Sequence, residues 1–382
     1  MPPPAPPPAP PLPISLPTDG DLLVLPSPAF DAAPPTIRHK ELIPQEILHA
    51  MAVTWAMGRF EERRVRVLRL RDVWVAKEGL VFDRDGALYR ETVTQHGAAE
   101  VAGAQAAVLA AIAAGGGGAD RDGPVVLCKK RGVGNHGHWM MEMLPKAHLV
   151  HTRLPELEAR FLVADVPGQL RATMAASLAL SGIDPARAVV AGDAPRRFAE
   201  LVLVEGLSEH GTYMSPLVME CVETLVRGVG ASVGAGEGRT LFVTRQALGF
   251  RRLVDEDSLL LQAQASGCVP VEPVLLPLAG QIALFTGASR ILGVMGAAMT
   301  NIAFAAPGTR VTLFTPAGMP DTFFWFIATL RGLEYEEVRC APTGPVRGNM
   351  PWDTDLILDP ADAADLLGIA LPACPRFSGS AP

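Results

Sequence analysis

The feature that most constrains this chain is a repeated alternation of short, continuously apolar runs with helix-length stretches, broken once by the small-residue segment GVGASVGAGEGR at 228–239. The runs at 124–128, 160–165, 188–191 and 201–205 precede the break, and those at 241–244, 269–272, 290–294, 310–315 and 335–339 follow it. A strand that is apolar on both alternating faces must be covered on both, which is the condition of a parallel sheet flanked by helices. The segments 132–153, 169–181 and 216–228, then 255–266, 278–288, 300–305 and 322–330, supply helices of that kind. The expectation is an α/β protein of two Rossmann-like domains facing a cleft, with ligands beyond the carboxyl ends of the strands. Alternating runs between 64 and 89 predict a short antiparallel β segment at the edge of the first domain. An alanine-rich helix over 100–114 should follow, ended by four successive glycines.

The expected boundaries are a tail over 1–20, an N-terminal domain over 40–228, a linker over 229–239, a C-terminal domain over 240–345 and an extension over 346–382. The tail reads MPPPAPPPAPPLPISLP, a polyproline II composition with few backbone donors. The linker carries almost no apolar bulk to pack. A net charge of -7 argues against a nucleic-acid partner. The mean hydropathy is positive, at +0.24, yet no apolar run reaches the roughly 18–20 residues that span a bilayer. No secretory signal opens the sequence, and the expected location is the cytoplasm, with at most peripheral attachment to the inner face of the membrane. Cys128, Cys221, Cys268, Cys340 and Cys374 are scattered without a CxxC pair, as reduced, buried thiols would be.

Three segments concentrate chemistry. In N-H-G-H-W-M-M-E-M-L-P at 135–145, polar side chains follow a buried strand, and Pro145 places Glu142 at or just before a helix start. Glu142 can there face a cleft or merely cap the helix, and His138 beside Trp139 can be a working group or a packed one. His136, His138, His148 and His151 also admit a metal reading, but Trp139, Met140 and Met141 stand where further ligands would be needed. In I-L-G-V-M-G-A-A-M-T-N at 291–301, small residues let the backbone approach a ligand, and Thr300 and Asn301 mark a helix start suited to a diphosphate. The alternative there is tight strand-helix packing without a ligand. In T-R-Q-A-L-G-F-R-R at 244–252, Arg245, Arg251 and Arg252 suit phosphate, or are ordinary surface arginines. Gln281 lies in the helix preceding the Gly-Ala turn.

Taken together, these segments resemble glycosyltransferase family 61 over roughly residues 60–340. The family's N-x-x-H-W-x-x-[ED]-x-L-P segment is similar to Asn135, His138, Trp139, Glu142, Leu144 and Pro145. Its strand-end arginine, basic stretch and acidic pair correspond to Arg245, Arg252, Asp255 and Glu256, and its Gln-Ile to Gln281 and Ile282. Its G-x-H-G-A-x-x-T-N turn resembles Gly293, Met295, Gly296, Ala297, Thr300 and Asn301, leading into Phe304 and Pro307, Gly308 and Thr309.

The resemblance implies a GT-B type fold and an inverting, metal-independent transferase. Such an enzyme moves a sugar from a nucleotide-diphosphate donor to a glycan acceptor, in surface or capsular polysaccharide synthesis, with no cofactor. It implies Glu142 as general base oriented by His138, Asn135 and Trp139 on the acceptor side, and Arg245, Arg252, Gln281, Gly296, Ala297, Thr300 and Asn301 on the donor. Met295 departs from the family's histidine and cannot donate to phosphate. That leaves open a non-catalytic nucleotide-sugar or glycan binder of the same fold, while the histidine cluster leaves open a metal-dependent hydrolase.

Overall fold

The computed structural model describes residues 14–15, 20–230, 238–247 and 249–368. Most of the expected proline-rich tail, the centre of the linker and the end of the C-terminal extension, Cys374 included, lie outside the described residues. The chain divides into two compact units, Met1–Asp31 with Arg59–Gly228, and Ala32–Gly58 with Val229–Pro382.

The first unit is built on a mixed sheet. Four parallel strands run in the order Arg196–Glu205, Val125–Leu127, Arg160–Ala164 and Ala188–Ala191. The three inner runs are doubly covered as expected, with Val125, Val126, Phe161, Leu162, Leu201 and Val202 all 0% exposed, whereas the edge strand Ala188–Ala191 leaves Val190 47% exposed. On the other side of Arg196–Glu205 lies the antiparallel part, and here the expectation of a short edge segment is corrected. Arg63–Ala76 is one continuous strand of 14 residues, inside the sheet rather than at its edge. It pairs with Arg196–Glu205 from Arg196↔Val75 to Glu205↔Arg66. Its arginines pair across the strands: Arg69 Nε lies 2.9 Å from Glu200 and Arg66 Nη1 3.4 Å from Glu205. Such cross-strand pairs let a charged run continue as a central strand. Leu80–Phe82 and Leu88–Tyr89 extend the sheet, and Asp21–Ser27 also pairs with Arg63–Ala76.

The second unit has five parallel strands in the spatial order Cys268–Val271, Arg239–Val243, Ala288–Val294, Arg310–Pro316 and Glu334–Thr343. In sequence order this is 2-1-3-4-5, a doubly wound sheet whose direction of build reverses between Arg239–Val243 and Ala288–Val294. Beyond Glu334–Thr343, Thr36–Arg38 pairs in parallel and Asp355–Ile357 antiparallel. That parallel pairing is why residues 32–58 group with the second unit, whereas the expected N-terminal domain began at 40. Trp325 Nε1 donates to the Ala33 carbonyl at 2.9 Å, and Arg38 Nε to Glu336 at 2.6 Å, fixing the segment there. Cys128, Cys221, Cys268 and Cys340 are free and buried, as expected. Among the described residues no helix is long and apolar enough to cross a membrane.

One turn controls the edge of the first site. Gly79 has φ +97°, and a Cβ there would stand 2.3 Å from the Lys129 carbonyl oxygen, in the segment that follows Val125–Leu127. Replacing Gly79 with alanine should therefore cost about 2 kcal/mol or more, from both left-handed strain and the backbone clash. Urea unfolding measures it, and an unchanged midpoint would show that the turn does not brace Lys129.

Candidate active site

In the first unit the polar groups gather at the carboxyl ends of two adjacent parallel strands. Lys130 lies three residues past Val125–Leu127, and His210 five residues past Arg196–Glu205. Glu142 comes from the helical stretch that follows the first of these. That stretch starts at His136–His138, passes through a π turn over Trp139–Met143 and continues as Leu144–Arg153. Pro145 has no N–H to give to the carbonyl four residues back, and the chain before it is wound wider than an α-helix, the form that often marks a functional position. Asn135 accepts from the Gly137 N–H at 2.8 Å and caps the start. Trp139 is 0% exposed and its indole donates to Ser177 Oγ at 2.9 Å, so it anchors the turn from behind.

Glu142 is 2% exposed and both its oxygens are engaged. Oε2 accepts from Lys130 Nζ at 2.6 Å and from His138 Nδ1, and Oε1 faces His210 Nδ1 at 3.3 Å. The His138 and His210 rings lie 4.8 Å apart. Burial by itself would push this carboxyl up, but the hydrogen bonds from His138 and His210 and the Lys130 charge outweigh it and hold Glu142 well below the usual 4.5. Burial lowers His138 from 6.5, against the opposing pull of Glu142. A carboxylate on Nδ1–H fixes the tautomer in which Nε2 is the ring's proton acceptor.

His138, Glu142 and His210 also form a set whose ligand atoms all lie within 4.8 Å of one another, close enough to hold a metal ion. Lys130 already sets a cation 2.6 Å from Glu142, which disfavours a second charge there. His148 is not in this cluster; it lies in Leu144–Arg153 with Nδ1 buried and unpartnered, pulled down to about 4 by burial. Sequence reasoning named Glu142 and His138 but missed Lys130 and His210. Lys130 carried a faint signal, a lysine pair directly after a strand too apolar to end in charge without reason.

In the second unit the remaining residues collect at the switch point of the sheet. Arg245 follows Arg239–Val243 and Gly296 follows Ala288–Val294. Gly296 is needed for close approach: a Cβ there would stand 1.7 Å from Arg245 Nη1. Arg245 is 2% exposed, and its Nε and Nη1 have no hydrogen-bond partner. Burial, with repulsion from Arg251, pulls its guanidinium down to about 9, so it still carries charge at neutral pH. Arg251 donates through Nη1 to the Met295 carbonyl at 3.2 Å and its Nε lies 3.3 Å from Asp353. Its φ of 56° is a strained choice for an arginine, held in part by its N–H on the Thr354 carbonyl at 3.1 Å.

The other predicted residues sit differently. Gln281 and Asn301 are bonded to each other, Asn301 Nδ2 to Gln281 Oε1 at 2.8 Å, and both are buried. Gln281 also donates to the Leu276 carbonyl at 2.9 Å, so this pair ties helix Leu278–Thr286 to the 3-10 helix Ala297–Phe304. Thr300 is buried with its hydroxyl unpartnered, while Ala297 is half-buried at the start of that helix. Arg252 is more open, its Nε 3.8 Å from Glu256.

Against this geometry, residues 136–312 match the model of the Glycosyltransferase 61 family, a span that takes in His138, Glu142 and His210 of the first cluster but not Lys130, and Arg245, Arg251 and Gly296 of the second. The chain carries a glycosyltransferase family 61 domain. No curated protein matches the sequence closely enough to add to this. The family makes the chain a glycosyltransferase, with donor and acceptor substrates, and its match ends within the strand Arg310–Pro316.

The glycosyltransferase's buried ion pair sets a stability test. Lys130→Met would strand a carboxylate chosen by its partners, at a cost of about 3–5 kcal/mol. Part of that should return in the double variant Lys130→Met/Glu142→Leu, which removes the charge as well. Denaturant unfolding of both variants checks this, and a neutral Lys130→Met would mean that the histidines alone hold Glu142.

Proposed function

We propose that this glycosyltransferase is an inverting, metal-independent enzyme that moves a sugar from a nucleotide-diphosphate donor to a glycan acceptor in surface or capsular polysaccharide synthesis. The observation that carries the reading is the Glu142 carboxylate, enclosed with both oxygens engaged and one of them on His138 Nδ1. So enclosed a carboxylate acts through its partner. His138 Nε2 takes the proton of the acceptor hydroxyl while Glu142 stabilises the imidazolium that forms. The acceptor oxygen bonds to the anomeric carbon as the bond from that carbon to the diphosphate breaks, and the nucleoside diphosphate leaves with the electron pair. One displacement inverts the anomeric centre.

The leaving group needs positive charge, and Arg245 offers it: a buried guanidinium with two unpartnered nitrogens is incomplete without an anion. Arg251 brings a second cation to the Met295 carbonyl, which supports an active enzyme despite the methionine at that place. Arg252 and the turn from Gly296 through Ala297 to Thr300 border the same region, and the Gln281 and Asn301 pair holds its shape. Lys130 supports metal independence, since it supplies beside Glu142 the charge a metal would bring. The reading takes the units as a GT-B pair, with the acceptor on the first, beside Asn135 and the Trp139 turn, and the donor on the second. It takes the cytoplasm as the place of work.

Two experiments test it. Glu142→Gln should leave uridine diphosphate binding intact while transfer falls by about 10²–10⁴; undiminished transfer would remove Glu142 from catalysis. The pH profile separates a histidine base from a carboxylate one. The base must be deprotonated, so a His138 held below 6.5 gives kcat/KM a plateau at neutral pH and a fall in acid as the imidazole gains its proton. Glu142, held well below 4.5, would keep the profile flat over the same range were it the base itself.

A further inference from the structure

A cavity of about 510 Å³ in the first unit borders the Glu142 cluster, with Lys130 and His210 in its wall. The size falls within the ~300–1,000 Å³ of small-ligand pockets. Its floor is formed where the strands of the sheet end: Leu127 and Lys129 from one, Leu203 to Glu205 from the next, and Arg64 and Arg66 from the antiparallel neighbour. The cations here are mostly accounted for. Lys129 Nζ donates to the Ala191 and Gly192 carbonyls at 3.1 and 2.6 Å, Lys130 to Glu142 at 2.6 Å, and Arg66 to Asp21 at 2.9 Å.

Arg64 is exposed and, among the described residues, also unpaired, whereas Lys146 is withdrawn from solvent without a bond. It lies one helical turn after Glu142, so it projects from the same side of the helix, and it lines the cavity. No hydrogen bond or ion pair is made by its ammonium among the described residues. Desolvation lowers its pKa, with repulsion from Lys130 adding to it, against the opposing pull of Glu142 and Glu205, neither of them within ion-pair distance. Glu205 also lines the cavity; its Oε1 is buried and unpartnered, its other oxygen taking Arg66 at 3.4 Å. An unpaired ammonium lining a cavity of this size is a demand for a polar ligand. A neutral hydroxyl would meet only one of the ammonium's three donors, whereas an oxyanion meets its charge as well.

We infer that this cavity receives an acidic sugar of the acceptor glycan, with Lys146 Nζ on its carboxylate or phosphate. The inference rests on the transferase reading and deepens it, making the acceptor an anionic glycan whose reacting hydroxyl is presented to His138. Lys146 would set specificity without taking part in the displacement.

Titration calorimetry of the full chain at low salt tests this with methyl β-glucuronide, glucose 6-phosphate, methyl β-glucoside and inorganic phosphate. The expected result is that one acidic sugar binds about tenfold or more tighter than the glucoside, the scale of a charge-assisted hydrogen bond. Which of the two does so tells carboxylate from phosphate. Lys146→Met should bring that sugar to parity with the glucoside, and Lys146→Gln should do the same should the methionine variant fail to fold. Equal binding of acidic and neutral sugars, inorganic phosphate binding as tightly as either sugar, or an unaltered preference in the variants would overturn the inference. Uridine diphosphate titrated into the same samples keeps the two readings apart. Its binding, or that of guanosine, cytidine or thymidine diphosphate, without an acidic-sugar preference defeats the cavity assignment alone, and failure of all four to bind defeats the nucleotide-diphosphate donor of the proposed reaction.

Discussion

A carboxylate removed from water is the constraint on which the first unit turns. Taking an ion of this size into the interior costs several kcal/mol even after relaxation, and a single partner seldom recovers it. Glu142 has three, and they come from separate places in the chain: Lys130 after one parallel strand, His138 from its own helix, and His210 after another strand. Their convergence requires that Val125–Leu127 and Arg196–Glu205 be neighbours with their carboxyl ends on the same side of the sheet, which their parallel pairing at Leu201↔Val125 and Val202↔Val126 provides. The π turn over Trp139–Met143 then sets where Glu142 points, and Trp139 on Ser177 holds that turn from the other side. Sheet register, helix winding and side-chain chemistry thus answer to one charge.

The second unit presents the converse. Its buried charge, on Arg245, lacks the partners that Glu142 has, and its neighbours include another arginine. A protein interior rarely leaves such a group unmatched unless something else completes it. The backbone has been shaped around it: Gly296 leaves the space its guanidinium fills, and Arg251 adopts a left-handed conformation to reach the same turn. Nearby polar groups divide: Asn301 Nδ2 and Gln281 Oε1 are bonded to each other as a brace, while Asn301 Oδ1 and the Thr300 hydroxyl are buried without a partner. Residues of one sequence motif therefore divide between exposed chemical need and internal support, a division that depends on which atoms are paired.

Much of the architecture could be read from the order of residues, because it follows from local patterns. Continuously apolar runs such as VVL at 125–127 and FLV at 161–163 have to be covered on both faces wherever they end up, and helix-length segments beside them are the available cover. The misreadings arose where distant residues changed the meaning of a local pattern. Arg63–Ala76 reads as two short alternating runs parted at Asp72 until Arg196–Glu205 is placed beside its whole length, with Glu200 and Glu205 against its arginines. Thr36–Arg38 is too short to announce itself and becomes a strand only because Glu334–Thr343 offers it an edge.

The sequence alone determined the α/β alternation, the placing of Glu142 just ahead of Pro145, and the small residues around Gly296, since each follows from the conformational preferences of residues adjacent in the chain. Only the tertiary structure decided which groups those residues meet. Lys130 and His210 are 12 and 68 positions from Glu142, and nothing in local preference relates them to it. Pairing of charges acts through space, over a few ångströms, and a linear order of residues does not contain those distances until the sheet has brought its strand ends together.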